Sequence, residues 1–273
     1  MRLSYKKLFF GIQHAEMKKA TLLCFFIVGG LYATAQKMKR AYFELKIYSY
    51  RTEQQQKLLH DYLEKSWMPA MHRAGIENIG VFSPVGNDTA TEKKIFILTP
   101  YREIEQAGQI NQLLYEDPVH LQTGESYLNA QWNAAPYERI QILWMQAFEG
   151  APELKTPRLT GEKKENVYEL RSYEGPTESY YRNKVDMFNE GKEIPLFERL
   201  GFNAVFYGEV IAGSRMPNLM YMTCFENMAS REQHWKTFSD DPEWKKLVGM
   251  EKYRHNVSKI DIHLLHALPY ADY

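Results

Sequence analysis

The chain has 273 residues, 44% apolar and 14% aromatic, which excludes a disordered or collagen-like protein and supplies one large core or two small ones. Its 34 basic residues balance 34 acidic ones, so no basic field draws nucleic acid. Two cysteines provide neither a disulfide framework nor a thiolate zinc cluster.

Residues 1–16 precede a second methionine, Met17. Met17-Lys18-Lys19 is a short positive start, Ala20 to Leu31 an apolar run of 12 residues, and Ala33-Thr34-Ala35 a small-residue cleavage site. The pattern predicts a signal peptide over residues 1–35, with 1–16 a mis-assigned start or an extension. The apolar run is shorter than the ~20 residues of a bilayer span, so no stable membrane insertion is expected after cleavage. A lipoprotein anchored through Cys24 and an uncleaved anchor are the competing readings, but bulky Leu22-Leu23 precede Cys24 where lipidation needs a small residue. Removing 1–35 leaves 29 basic and 33 acidic residues, a net of −4, which suits an exported (periplasmic or secreted) bacterial protein. Cys224 is then the remaining cysteine, and flanking Met220, Met222 and Phe225 predict that it is buried.

Beyond the leader the chain repeats itself. Phe43-Glu-Leu-Lys-Ile-Tyr48 returns as Tyr168-Glu-Leu-Arg-Ser-Tyr173. Pro69, Arg73 and Gly75 return as Pro195, Arg199 and Gly201; Thr99, Asp117 and Pro118 return as Thr223, Asp241 and Pro242. Three blocks in one order at nearly constant offset divide the chain into repeats 41–148 and 167–270. Residues 149–166, rich in Pro, Gly and charge without periodicity, read as a linker.

Each repeat opens on an alternating strand, Tyr42 to Tyr48 and Val167 to Tyr173. A helix follows, from about Thr52 to Ala74 and from about Thr177 to Leu200. Pro69 and Pro195 should kink or break it late, and Gly75 and Gly201 should stop it. The second strand is expected at Asn78 to Phe82 and Asn203 to Val210, the third at Lys94 to Tyr101 and Leu219 to Phe225. A second helical region breaks at Asp117-Pro118 and Asp241-Pro242, where Asp caps a new helix and Pro fits its first turn. The last strand is Tyr137 to Ala147 and Ser258 to Ala267. The order β-α-β-β-α-β is ferredoxin-like and leaves one sheet face bare. The predicted class is therefore α+β: two tandem ferredoxin-like repeats covering each other as an intramolecular dimeric α/β barrel.

Tyr168 to Tyr173, the segment Ile194 to Phe202, and Arg231, Trp235, Phe238, Asp241 and Trp244 together resemble the NIPSNAP domain family. The resemblance runs from Val167 to His266. The first repeat is a divergent copy, with Ala107, Asn111 and His120 where Arg231, Trp235 and Trp244 stand, so a site built from those residues should exist once. The resemblance implies a dimeric α/β-barrel superfamily that includes antibiotic-biosynthesis-type monooxygenases, haem-degrading enzymes and chlorite dismutases. The NIPSNAP family itself has no generally accepted chemistry, so it implies a fold more than a function.

Strand period two places Glu44, Lys46 and Tyr48, and likewise Glu169, Arg171 and Tyr173, on one face. If the intervening leucines face the helices, both triplets point into the barrel and converge there as a small-molecule ligand site. Alternatively they form buried ion pairs, Glu44 with Lys46 and Glu169 with Arg171, that join the halves. Arg231 and Trp235, with Phe238 and Trp244, form either a core stripe or a pocket wall whose arginine meets a ligand carboxylate. Glu169 and His234 are candidate bases if the cavity is that of a cofactor-free oxygenase or isomerase. A third reading is a non-enzymatic interaction protein with a filled core.

No metal or cofactor is expected. His72, His120, His234 and His255 lack partners at metal-ligand spacing, His263 and His266 point to opposite faces of a strand, and no nucleophile elbow, phosphate loop or dinucleotide fingerprint occurs. A haem barrel, however, needs only one histidine. A second copy could pair through exposed sheet edges or the outer helices.

Overall fold

Four strands of the first repeat pair antiparallel: β1 (Tyr42–Tyr50), β2 (Gly80–Pro84), β3 (Lys93–Tyr101) and β4 (Arg139–Ala147). Four of the second do the same: β5 (Val167–Glu174), β6 (Asn203–Ala212), β7 (Asn218–Phe225) and β8 (Lys259–Ala267). The sheet orders are β4-β1-β3-β2 and β8-β5-β7-β6, the arrangement a ferredoxin-like repeat gives twice. The computed structural model describes residues 38–273, so the expected signal peptide, Met17 and Cys24 lie outside the described residues.

The sheets join at both edges. β2 pairs β8 through Phe82↔Ala267 and Pro84↔Leu265, and β4 pairs β6 through Met145↔Val210 and Ala147↔Gly208. The result is a closed barrel of eight strands. Closure removes the free edges, so the route to an oligomer through sheet-edge pairing has no edge to use among these strands.

Helices cover the outside of each half. In the first repeat, Thr52 accepts from the Gln55 N–H while the Gln55 side chain accepts from the Thr52 N–H, a complete capping box for α1 (Glu53–Tyr62). A π-helical turn, Leu63–Trp67, leads into α2 (Met68–Arg73), where Pro69 sits. Proline has no N–H for an i→i−4 bond, and the wider turn, with the Met68 N–H bonded to the Leu63 carbonyl, carries the chain past it. The helical run continues from Glu53 to Arg73 instead of breaking. Gly75 at φ +82° then closes the helix, its N–H donating to the His72 carbonyl and that of Ile76 to the Met71 carbonyl. Asn78, at φ +59°, is left-handed and cannot lie in a strand, so β2 begins two residues later than the pattern predicts.

The remaining helices of this repeat are α3 (Glu105–Glu116), α4 (Pro118–Thr123) and α5 (Glu125–Leu128). In the second repeat α6 (Glu178–Asn189) does break before α7 (Glu193–Arg199), because Lys192 is left-handed at φ +66°. A Cβ at Gly191 would stand 2.4 Å from the Met187 carbonyl oxygen, so only glycine fits that bend. α8 (Met228–Asp240) and α9 (Pro242–Val248) follow. Asp117 and Asp241 cap α4 and α9 as expected, each accepting two backbone N–H bonds.

All eight strands, and no helix, contribute to one interior cluster that includes Phe43, Leu45, Leu98, Met145, Leu170, Met222 and Leu265. Separate clusters fill the space between each half-barrel and its own helices. Cys224 lies in the interior cluster, and burial pushes its thiol up to about 12. No helix among the described residues is long and apolar enough to cross a membrane.

Candidate functional site

Strand direction makes the barrel ends unlike. β1 and β5 both start at one end, where residues 149–166 run across the barrel. There the Ala41 N–H bonds the Pro152 carbonyl and the Lys155 N–H bonds the Val205 carbonyl. Leu154 and Leu159 pack onto the interior cluster from this segment. Tyr273 fills the rest of that end, its ring 6.0 Å from Phe82 and 6.1 Å from Tyr168. The segment expected as a linker is thus the barrel's floor.

The opposite end is open. A cavity of about 300 Å³ enters the barrel there, with Ile47, Phe96, Leu143 and Met220 as its apolar wall. Around this wall stand Lys94, Gln141, Ser172, Asn218, Asp261 and His263. They come from β3, β4, β5, β7 and β8, each at an inward-facing position near the strand end. Arg215, in the β6–β7 loop, reaches across to Asp261 in an ion pair and stands 3.8 Å from Glu174. Ser172 and Asn218 satisfy each other, the Asn218 amide donating to the Ser172 hydroxyl at 2.8 Å. His263 packs its ring 5.1 Å from Phe96 and makes no hydrogen bond among the described residues. Burial first, then Lys94 and Arg215, hold its pKa below the usual imidazole value, so it is neutral at neutral pH. Grooves of about 560 and 400 Å³ beside residues 153–158 lie outside the barrel and bring no such convergence of both repeats.

The twin triplets are not in this cavity. Phe43, Leu45, Tyr168 and Leu170 face the interior, so Glu44, Lys46, Tyr48, Glu169, Arg171 and Tyr173 face the helices, each set on its own half. They do not converge, and they do not join the halves. Two carboxylates and two cations inside so narrow a barrel would lose their water without gaining the donors that the helices supply.

On the helix side Glu169 is fully buried and accepts from Arg171 Nε (2.5 Å), Arg231 Nε (2.6 Å) and Trp235 Nε1 (2.8 Å). Arg171 lies flat over the Trp235 ring at 3.7 Å and donates to the Tyr173 hydroxyl, which bonds Tyr221. The carboxylate that Arg231 meets is therefore the chain's own. In the first repeat Glu44 pairs with Lys46 at 3.1 Å, Lys46 stands 5.8 Å from Trp67, and Tyr48 accepts from Tyr127. Burial, the largest single influence, works to lower the Lys46 pKa, but Glu44 and the tyrosines Tyr48 and Tyr115 together outweigh it and the pKa is raised. The Arg231 and Trp235 positions are Ala107 and Asn111 here, so the fuller cluster occurs once, as the divergence implied.

Neither candidate base reaches the cavity. Glu169 is enclosed by its donors, and His234 bonds the Ser230 carbonyl between Phe202 and Phe225. His120 is equally structural, bonded to the Leu114 carbonyl and Tyr62. No group of three or more His, Cys, Asp or Glu among the described residues is placed to hold a metal ion. Sequence reasoning missed His263 and Lys94. The signal was the i, i+3 offset of His263 and His266, which puts one of them inside.

Residues 168–272 match the NIPSNAP family model. The second repeat is a NIPSNAP domain. Among solved structures, a protein from Lactobacillus acidophilus provisionally assigned as a monooxygenase shares 10% identity, over 84% of this chain and 94% of that one, at a TM-score of 0.55. One from Fusobacterium nucleatum, assigned likewise, shares 8% over 84% and 93%, at 0.53. These likenesses concern the fold, a barrel built across both repeats. A NIPSNAP family protein of unknown function from Agrobacterium tumefaciens shares 18% identity over 40% of this chain and 93% of that one, at 0.33. No curated protein matches the chain. The NIPSNAP domain supplies β5, β7 and β8 of the open end, with His263 and Asp261, while the first repeat supplies Lys94, Phe96 and Leu143.

Proposed function

We propose that the protein binds a small, partly apolar molecule in the open end of its barrel, between the two sheets. One observation carries the reading: a cavity of about 300 Å³ with an apolar wall, a polar rim and one closed end, the usual anatomy of a small-ligand site. The twin triplets, which face the helices, take no part. The reading includes export, supported by the signal-like pattern from Met17 to Ala35. N-terminal sequencing of the protein expressed from the full chain should then begin at Gln36.

Native mass spectrometry of the purified protein tests the ligand. A retained small molecule should disappear in Met220→Trp, which fills the cavity, and persist in Arg171→Ala. Retention unchanged by Met220→Trp would place the ligand elsewhere and remove the reading.

A further inference from the structure

Three charged groups line the open end: Lys94, Arg215 and Asp261. Arg215 and Asp261 are closed on each other, which leaves Lys94 as the available charge. Its one ion-pair partner among the described residues, Glu92, is 3.5 Å away, and their side chains are 34% and 48% exposed, so water screens that pair. Across from Lys94, His263 has both ring nitrogens without a hydrogen-bond partner among the described residues. Between these groups the wall is apolar.

We propose that this site takes a monoanionic organic acid, its oxyanion between Lys94 and His263 and its ring or short chain on Phe96, Leu143 and Met220. The inference rests on the ligand reading above. A cationic ligand would meet Lys94 and Arg215 with its one opposite charge, Asp261, already engaged. A neutral ligand would take water from the Lys94 ammonium and from His263 without giving them an ionic acceptor in return, and desolvating such groups is costly. An oxyanion accepts from the Lys94 ammonium and from an imidazole N–H, each a charge-assisted bond.

The arrangement also couples binding to a proton. The groups that face His263 are Lys94 from β3, Arg215 from the β6–β7 loop and Asp261 from its own strand, where Lys259 stands 3.7 Å from Asp261 as a third cation. Glu92 and Glu174 stand behind Lys94 and Arg215, and Gln141, Ser172 and Asn218 bring no charge. In the free protein burial and the cations keep His263 neutral. An oxyanion beside it favours the imidazolium, so the pKa is higher with ligand bound than without. Binding therefore takes up a proton where the pH lies between the two values, and affinity rises as pH falls through that window.

Calorimetric titration of the full-length protein with naphthoate and with its neutral counterpart naphthalenemethanol tests this. Naphthoate should bind at least roughly tenfold more tightly. Lys94→Met should abolish the advantage and spare the alcohol, and His263→Asn should flatten the pH dependence. Histidine NMR on the unmutated protein reads the same coupling: the His263 pKa must rise when naphthoate is added. Equal affinity for acid and alcohol, or a His263 pKa unmoved by bound naphthoate, would overturn the anion assignment while leaving a ligand site. Failure of both probes to bind, with an empty barrel by native mass spectrometry, would overturn the assignment and the ligand reading together.

Discussion

Glu169 shows how one carboxylate is kept under a sheet. Two guanidinium groups and an indole surround it, and both arginines retain a path to water, with side chains 13% and 19% exposed. Removing one member of such a pair costs more than the pair contributes, because the remaining charges stay partly buried without a partner. Glu169→Ala is therefore expected to lower stability by about 3–5 kcal/mol in denaturant unfolding. A loss below about 1 kcal/mol would mean that solvent already carries these charges. Glu169 with Arg171 was a foreseen pair, but its union with Arg231 and Trp235 was not. Nor was the side they occupy. Strand β1 carries large residues on both faces, Phe43 and Leu45 on one and Tyr42 and Tyr48 on the other, and in a barrel covered by helices both faces are buried. Alternation then says that two faces differ, without saying which is inside.

At the level of elements, local chemistry and tertiary structure agree closely. The Asp-Pro starts of α4 and α9 and the glycine stops after α2 and α7 are all where backbone rules put them. The departures have local causes. Pro69 is absorbed by a π turn rather than a break, and Asn78 delays β2 by its left-handed backbone. These depend on a few dihedral angles that residue patterns do not encode. The capping box of α1 gives a direct test: Thr52→Ala removes the acceptor for the Gln55 N–H and should cost about 1 kcal/mol, read from the unfolding midpoint. An unchanged midpoint would show that α1 is held by packing of Leu59 and Tyr62 alone.

For the whole molecule, duplication does more than cover a bare sheet. The repeat and its β-α-β-β-α-β order were enough to anticipate the barrel, since the two bare faces must meet. The contents of the open end could not be anticipated, because they depend on which residue of each strand falls at the rim. The floor, too, depends on a segment without periodicity. Tyr273 is the aromatic part of that floor, packed on Phe82 and Tyr168, with its hydroxyl unpartnered among the described residues. Tyr273→Ala should therefore destabilise the barrel by roughly 3 kcal/mol, as loss of a buried aromatic ring does. An unaffected melting temperature would show that Leu154 and Leu159 seal the end unaided.

A tube stopped at one end is also a ruler. A tail entering past Phe96 and Leu143 gains about 0.8 kcal/mol for each methylene it hides from water, until it runs up against the packed side chains below. Any longer tail must hang back outside the rim or fold on itself. The join between the two copies would thereby set the greatest depth that a guest of the proposed site could reach.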